Sequence, residues 1–170
     1  MLSPSLSCYA SILTDGSVEA VNTANNHSHD YGEQSFDDTL AALDDAGIVH
    51  FGYDETAVMD VKGIKVGLVG IYELYDHLER EQQLKDNIAK VKADGAQLIV
   101  VIFHWGNETE TVPDSNQTTL GRIASDDRNT TCYCCFKQKI HFTLMCRIQK
   151  LMTMYCDQIL VCRDYMLTGF

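Results

Sequence analysis

The chain has 170 residues, enough for one domain with a sizeable core, and its apolar fraction of 45% is typical of a globular protein. The formal net charge of −11 argues against nucleic acids or anionic lipid surfaces as partners, because both are bound by clustered lysine and arginine. No apolar run approaches the roughly 20 residues of a membrane span. Residues 1–8 have no basic flank and are predicted to be a disordered start, not a signal peptide.

The first third of the chain alternates short strands with one helix. Residues 19–23 predict a strand that runs into the polar turn Ala24–His27. A helix is predicted to begin at the N-cap Ser35 and to end at Gly47, since serine caps helix starts and glycine ends them. Residues 48–51 predict the next short strand.

The middle of the chain continues the alternation. The predicted elements are a hairpin of strands 58–61 and 64–71 closed at Lys62–Gly63, a helix carrying Leu84, Ile88 and Val91 that ends at Gly95, a strand over 96–103, and a helix over 114–124 capped by Asp114 or Ser115. The apolar run from Leu98 to Phe103 is typical of a strand buried on both faces. Strands alternating with helices predict a layered α/β fold, in which ligands bind at the carboxyl ends of strands.

The sequence changes character after Arg122. Residues 123–168 contain no glycine or proline, and six of the seven cysteines lie beyond residue 131. We interpret residues 125–170 as a divergent cysteine-rich tail, which is either a frame-shifted translation or a genuinely divergent end, with a helix predicted over 145–154. Cys132 and Cys135 form a C-x-x-C pair, but the second close pair of a zinc module is missing.

Two polar clusters follow predicted strands, and the first contains Asn26 and His27. The carbonyl oxygen of an asparagine can ligate a metal, and an adjacent histidine can protonate a leaving oxygen. Asp30 could orient His27 by accepting a hydrogen bond from its ring. The alternative is that Asn25 and Asn26 only form an Asx-type turn.

The second cluster is His104, which follows the buried strand and precedes a glycine. A neutral imidazole in this position can ligate a transition metal, and the alternative is an ordinary strand-end histidine with one hydrogen bond. His29 and Glu108 are polar neighbours that we expect to be solvated. Tyr31–Gly32 is expected to be structural, with Gly32 permitting a turn, and Trp105 is expected to serve packing.

The segment Ala24-Asn25-Asn26-His27-Ser28-His29-Asp30-Tyr31-Gly32 resembles the Asn-Asn-His-x-x-Asp-Tyr-Gly signature of the CapA family of bacterial capsule synthesis proteins, which serve poly-γ-glutamate capsules. Further matching features follow in the order of that family: Asp38-Thr39-Leu40, Ala46-Gly47-Ile48, Gly52, Gly63-Ile64-Lys65-Val66, His104-Trp105-Gly106 with Glu108, Pro113 and Gln117. The resemblance covers residues 9–124, which we take as a partial CapA-type domain.

The resemblance implies a metallophosphatase-like αββα sandwich. It implies metal ligation by Asn26 and His104, a catalytic role for His27 supported by Asp30, and a divalent metal such as Mn, Fe or Zn. It also implies capsule or polyglutamate assembly proteins, or an anionic polymer, as partners. The full-length protein is expected at the cell surface or associated with the membrane.

The chain departs from the family at both ends. It starts after the first strand with its Asp ligand and after a Gly-Asp segment, and the tail replaces a Gly-Ala-Asp strand and a Gly-His-x-x-His loop. We therefore expect a fragment lacking the first strands and the C-terminal part, with at most two ligands and no activity alone, so enzymatic function stays open. The alternative is a non-catalytic polymer- or partner-binding component of capsule assembly or export.

Overall fold

The computed structural model describes residues 4–74, 77–106, 110, 112–125 and 130–136. Its elements, in chain order, are α1 (Pro4–Asp15), β1 (Ala20–Asn22), α2 (Glu33–Asp45), β2 (Val49–Phe51), β3 (Thr56–Val61), β4 (Ile64–Glu73), α3 (His77–Ala93), β5 (Leu98–Trp105), α4 (Ser115–Ser125) and β6 (Thr130–Phe136). The predicted helix over 145–154 lies outside the described residues.

The strands form two sheets. β1 and β2 pair in parallel, and the second sheet has the order β3-β4-β5-β6. Within the second sheet, β3 is antiparallel to β4, whereas β5 runs parallel to both β4 and β6. The predicted mixed α/β architecture is therefore confirmed for the described part of the chain.

Two apolar cores hold the elements in layers. One core lies between the sheets and includes Phe51, Leu68 and Ile102. The other joins the large sheet to α3 and α4 through the opposite faces of β4 and β5; its buried members are Val69, Ile71, Leu84, Ile88, Val91, Ile99, Val101, Phe103, Trp105, Leu120 and Ala124. Helix α2 contacts β2, and α1 contacts α2. None of the described helices combines the length and apolarity needed to cross a membrane.

Two predicted local signals are confirmed in atomic detail. The hairpin between β3 and β4 turns at Lys62 and Gly63, with φ angles of 55° and 86°, as a two-residue turn with two left-handed residues requires. At the start of α4, the Asp114 carboxylate accepts a hydrogen bond from the Gln117 amide (2.8 Å), and the Gln117 side chain accepts one from the Asp114 amide (2.9 Å). This reciprocal pair satisfies two backbone donors at the helix start.

Three features differ from the sequence-based expectations. Helix α1 begins at Pro4, within the start that was expected to be disordered. The expected N-cap Ser35 is wrong: α2 begins at Glu33, because Gly32 turns the chain at a φ of 83° and takes the N-cap position. Strand β6 was not predicted, because no turn residues flank its β-forming residues. It forms by pairing with the edge of β5, and the local sequence does not indicate this pairing.

Candidate functional site

The loop after β1 is held by short-range hydrogen bonds. Asn25 Oδ1 accepts a hydrogen bond from the His27 amide at 2.8 Å, which is the Asx-type turn considered from the sequence. The Thr23 carbonyl accepts bonds from the Ser28 hydroxyl and from the Asn25 side-chain amide. The Thr23 hydroxyl donates to the Phe51 carbonyl at 3.2 Å, so the loop is also tied to the end of β2.

His27 and Asp30 form the predicted pair at the surface of this loop. His27 Nδ1 lies 2.8 Å from Asp30 Oδ2, and the two side chains are 67% and 49% exposed. Because a carboxylate only accepts, it fixes a proton on Nδ1 of the imidazole. The other ring nitrogen, Nε2, lies 3.3 Å from the Asn26 side-chain nitrogen and can accept from it. Both ring nitrogens of His27 are therefore within hydrogen-bond distance of a side chain of the same loop.

The same contact orients Asn26. With its amide nitrogen on the His27 ring, its Oδ1 points inward, where it is buried and has no hydrogen-bond partner in the part of the chain that the structure describes. A buried amide oxygen without a donor is costly, and a cation can supply the missing partner. This atom fits the metal-ligand role that the resemblance implies.

His104 stands at the carboxyl end of β5, as predicted. Its neighbour Ile102 belongs to the core between the sheets, and alternation along the strand directs His104 to the same face. Tyr72 is its register partner on β4, and the two ring centroids are 5.9 Å apart. The ring of Tyr53 follows at 6.2 Å from Tyr72, and its hydroxyl donates to the Asn25 carbonyl at 3.0 Å.

These contacts bring both predicted clusters to one end of the two stacked sheets. Glycines make the approach of the sheets close there. A Cβ atom at Gly70 of β4 would lie 2.1 Å from Asn22 Oδ1 and 2.9 Å from the Gly52 Cα. A Cβ at Gly52 would lie 2.6 Å from the Ala24 amide nitrogen. The backbone of β4 at Gly70 is therefore close to that of Gly52 after β2, and Gly52 is close to the start of the loop after β1.

Tyr53, Tyr72 and Gly70 belong to this region but were not predicted from the sequence. Tyr72 and the 1% exposed Glu73 end the apolar run of β4, which is the same signal that singled out His104 on β5. Tyr53 carries no such signal, because its role depends on the contacts of a turn. The need for glycine at position 70 can be recognised only when the position of the second sheet is known.

The remaining polar and aromatic predictions have mixed outcomes. Trp105 is 3% exposed and stacks on Phe103, which confirms its packing role. The turn expected at Tyr31–Gly32 is confirmed, since Gly32 has a φ of 83°, and the Tyr31 side chain itself is 89% exposed. His29 packs its ring on Phe36, with centroids 4.4 Å apart, and pairs with Glu33 at 3.2 Å. Glu108 lies outside the described residues.

The fit to a metal is partial. Asn26 and His104 offer one amide oxygen and one imidazole, both neutral donors. Among the described residues, no group of three or more His, Cys, Asp or Glu side chains could hold a metal ion. A site built from these residues needs further ligands from elsewhere.

Comparison with known proteins agrees with the signature in the loop. The profile of the family described as "Bacterial capsule synthesis protein PGA_cap" matches residues 4–127, and the chain belongs to this family. It is similar to "PGA biosynthesis protein CapA" of Bacillus subtilis (strain 168), with 27% identity over 134 residues covering 68% of this chain and 35% of the relative. It is also similar to "Capsule biosynthesis protein CapA" of Bacillus anthracis, with 27% identity over 128 residues covering 62% of this chain and 31% of the relative.

The chain thus spans about a third of the length of the curated relatives that it matches. No solved structure matches it. The family match covers both candidate clusters and ends at residue 127, within the first residues of the cysteine-rich tail and before β6.

Proposed function

We propose that this chain contributes part of a metallophosphatase-like, metal-dependent hydrolytic site that serves capsule or poly-γ-glutamate biosynthesis. The observation that carries the proposal is the meeting of the Asn25–Asp30 loop and His104 at one end of the stacked sheets, through the rings of Tyr53 and Tyr72. The core between the two sheets, the second core that joins the large sheet to α3 and α4, and the family membership support the proposal.

Asn26 and His104 are the residues that would hold a divalent cation such as Mn²⁺, Fe²⁺ or Zn²⁺. Such a cation supplies Lewis-acid stabilisation of the negative charge on a phosphate or similar oxyanion. Asn26 presents a buried oxygen without a hydrogen-bond donor in the described part of the chain. His104 presents an imidazole at the carboxyl end of a strand, where α/β folds bind their ligands.

His27 is the residue we assign to proton transfer. Asp30 holds the proton on Nδ1, and the ring becomes an imidazolium when Nε2 takes up a second proton, which requires that the Asn26 side-chain nitrogen, 3.3 Å away, release Nε2. At 67% exposure, the ring is accessible to a substrate oxygen. The imidazolium can then protonate a leaving oxygen at Nε2, with Asp30 keeping the ring in one orientation.

We further propose that the chain alone binds metal weakly and has no hydrolytic activity. Two neutral ligands leave the charge of a divalent cation unbalanced, and such sites normally include carboxylates. In the part of the chain that the structure describes, no group of three or more His, Cys, Asp or Glu side chains could hold a metal ion. The second candidate function is a non-catalytic component that binds a polymer or a partner in capsule assembly.

A Mn²⁺ titration tests the proposal, with free Mn²⁺ measured by its electron paramagnetic resonance signal. The wild-type chain should bind Mn²⁺, and His104→Ala or Asn26→Ala should weaken binding at least about tenfold, or about 1.4 kcal/mol. His29→Ala is the matched control, because it removes a histidine of the same motif that is not assigned as a ligand.

Equal Mn²⁺ binding by the wild type and both ligand variants would contradict the assignment of the site. No binding by the wild type, together with unchanged capsule formation when His104→Ala is introduced into a full-length relative, would favour the non-catalytic function.

A further inference from the structure

Tyr53 adopts a backbone conformation that bulky residues avoid. It lies in the turn between β2 and β3 with a φ of 56°, in the left-handed region. The turn is closed by two hydrogen bonds between Gly52 and Glu55, of 2.9 and 3.0 Å. Left-handed conformations of residues other than glycine are strained and persist where surrounding contacts enforce them.

Helix α3 enforces the position of this turn from one side. The side-chain nitrogen of Asn87, which is 5% exposed, donates to the Tyr53 carbonyl at 2.7 Å. The Gln83 side chain donates to the Asp54 carboxylate at 2.6 Å. A buried amide donor on the Tyr53 carbonyl ties its backbone to the rigid, sheet-packed part of the molecule.

On its other side, Tyr53 reaches the loop that carries the candidate site. Its hydroxyl donates to the Asn25 carbonyl at 3.0 Å, directly before Asn26 and His27. Its ring stands 6.2 Å from that of Tyr72, the register partner of His104. Tyr53 therefore contacts the Asn25–His27 segment directly and His104 through the ring of Tyr72.

We propose that Tyr53 is a positioning residue that fixes the Asn25–His27 segment relative to the end of β5. The strained backbone aims the side chain, and the hydroxyl holds the Asn25 carbonyl in place. The other described hydrogen bonds of the segment lie within the loop, including the one between the His27 ring and the Asp30 carboxylate. Thr23, two residues before Asn25, ties the start of the loop to the Phe51 carbonyl of β2. The consequence for metal binding rests on the proposed function, whereas the positioning itself does not.

The test is Tyr53→Phe, which removes one hydroxyl and keeps the ring, with Tyr31→Phe as the matched control at an 89% exposed tyrosine. Amide hydrogen exchange of His27 and Ser28, measured by NMR without metal, should accelerate about two- to tenfold in Tyr53→Phe, which corresponds to the loss of one ordinary hydrogen bond. Mn²⁺ affinity should fall by a similar factor, while the melting temperature stays close to that of the wild type.

A residue that only filled space would alter neither exchange nor affinity on losing its hydroxyl. Unchanged exchange at His27 and Ser28 in Tyr53→Phe, or an equal change in Tyr31→Phe, would overturn the proposal. Accelerated exchange in a chain that binds no Mn²⁺ would uphold the positioning role and would count against the proposed function alone.

Discussion

The two halves of the candidate site are held in place by different physical means. β5 delivers His104 from a run of five buried residues, Ile99–Phe103, with hydrogen-bonded strands on both sides. The loop after β1 is largely exposed and is held by a few side-chain hydrogen bonds, each contributing about 1 kcal/mol. Substitutions near β5 should therefore damage the fold, whereas substitutions in the loop should alter the site at small cost to stability.

The largest expected effect is Phe103→Ala, which removes a fully buried ring that stacks on Trp105 with centroids 4.0 Å apart. The variant should lose about 3–5 kcal/mol of unfolding free energy, because it loses apolar burial and leaves a cavity. Urea unfolding followed by circular dichroism measures this loss. Ile12→Ala, at a 66% exposed position on α1, is the control and should change stability by less than about 0.5 kcal/mol. A loss below about 1 kcal/mol in Phe103→Ala would show that the core does not position β5.

A pair of glycine substitutions tests the close approach of the two sheets. Gly70→Ala should destabilise the chain by about 1–3 kcal/mol, because the new methyl would overlap Asn22 Oδ1. Gly121→Ala should stabilise it by about 0.5–1 kcal/mol, since a methyl in α4 would meet only Trp105 at an ordinary 3.7 Å. Thermal unfolding of the two variants side by side measures the difference. Equal effects of both substitutions would contradict the described contact beneath the loop.

The smallest effect on stability is expected in the loop, from Asp30→Asn. The His27–Asp30 pair is exposed, so its loss should cost less than about 1 kcal/mol. The ring of His27 should nevertheless lose its fixed Nδ1–H tautomer, which long-range ¹H–¹⁵N correlation spectra report directly. Glu33→Gln is the matched control, because it removes the carboxylate beside His29 and should leave His27 unchanged. An unaltered His27 tautomer in Asp30→Asn would show that the Asp30 carboxylate does not fix the tautomer, and would contradict its role in the proposed proton transfer.

Much of the fold followed from local patterns in the sequence. The continuous apolar run predicted β5, the Lys62–Gly63 pair predicted the hairpin, and the choice of Asp114 or Ser115 as cap predicted the start of α4, because each signal lies within a few neighbouring residues. The placement of both polar clusters at strand ends was also predicted. The residues themselves came from the family signature, and their metal-binding and catalytic roles stay predictions.

The parts that were missed depend on contacts between distant segments. Position 70 requires a glycine because Asn22 and Gly52 pack directly against it. Tyr53 contributes to the site because its hydroxyl reaches the Asn25 carbonyl. Strand β6 forms by pairing with β5, and no turn residues mark its ends in the sequence. Ser35 met every local criterion for an N-cap, but the chain enters α2 through the left-handed turn at Gly32.

The most direct test of the account is paramagnetic broadening of NMR signals by Mn²⁺ in the wild-type chain. If the loop and the end of β5 form one site, substoichiometric Mn²⁺ should broaden the amide signals of Asn26, His27 and His104 together, and His104→Ala should abolish the broadening at all three. Broadening confined to one cluster, or broadening of the loop that persists in His104→Ala, would contradict a shared site.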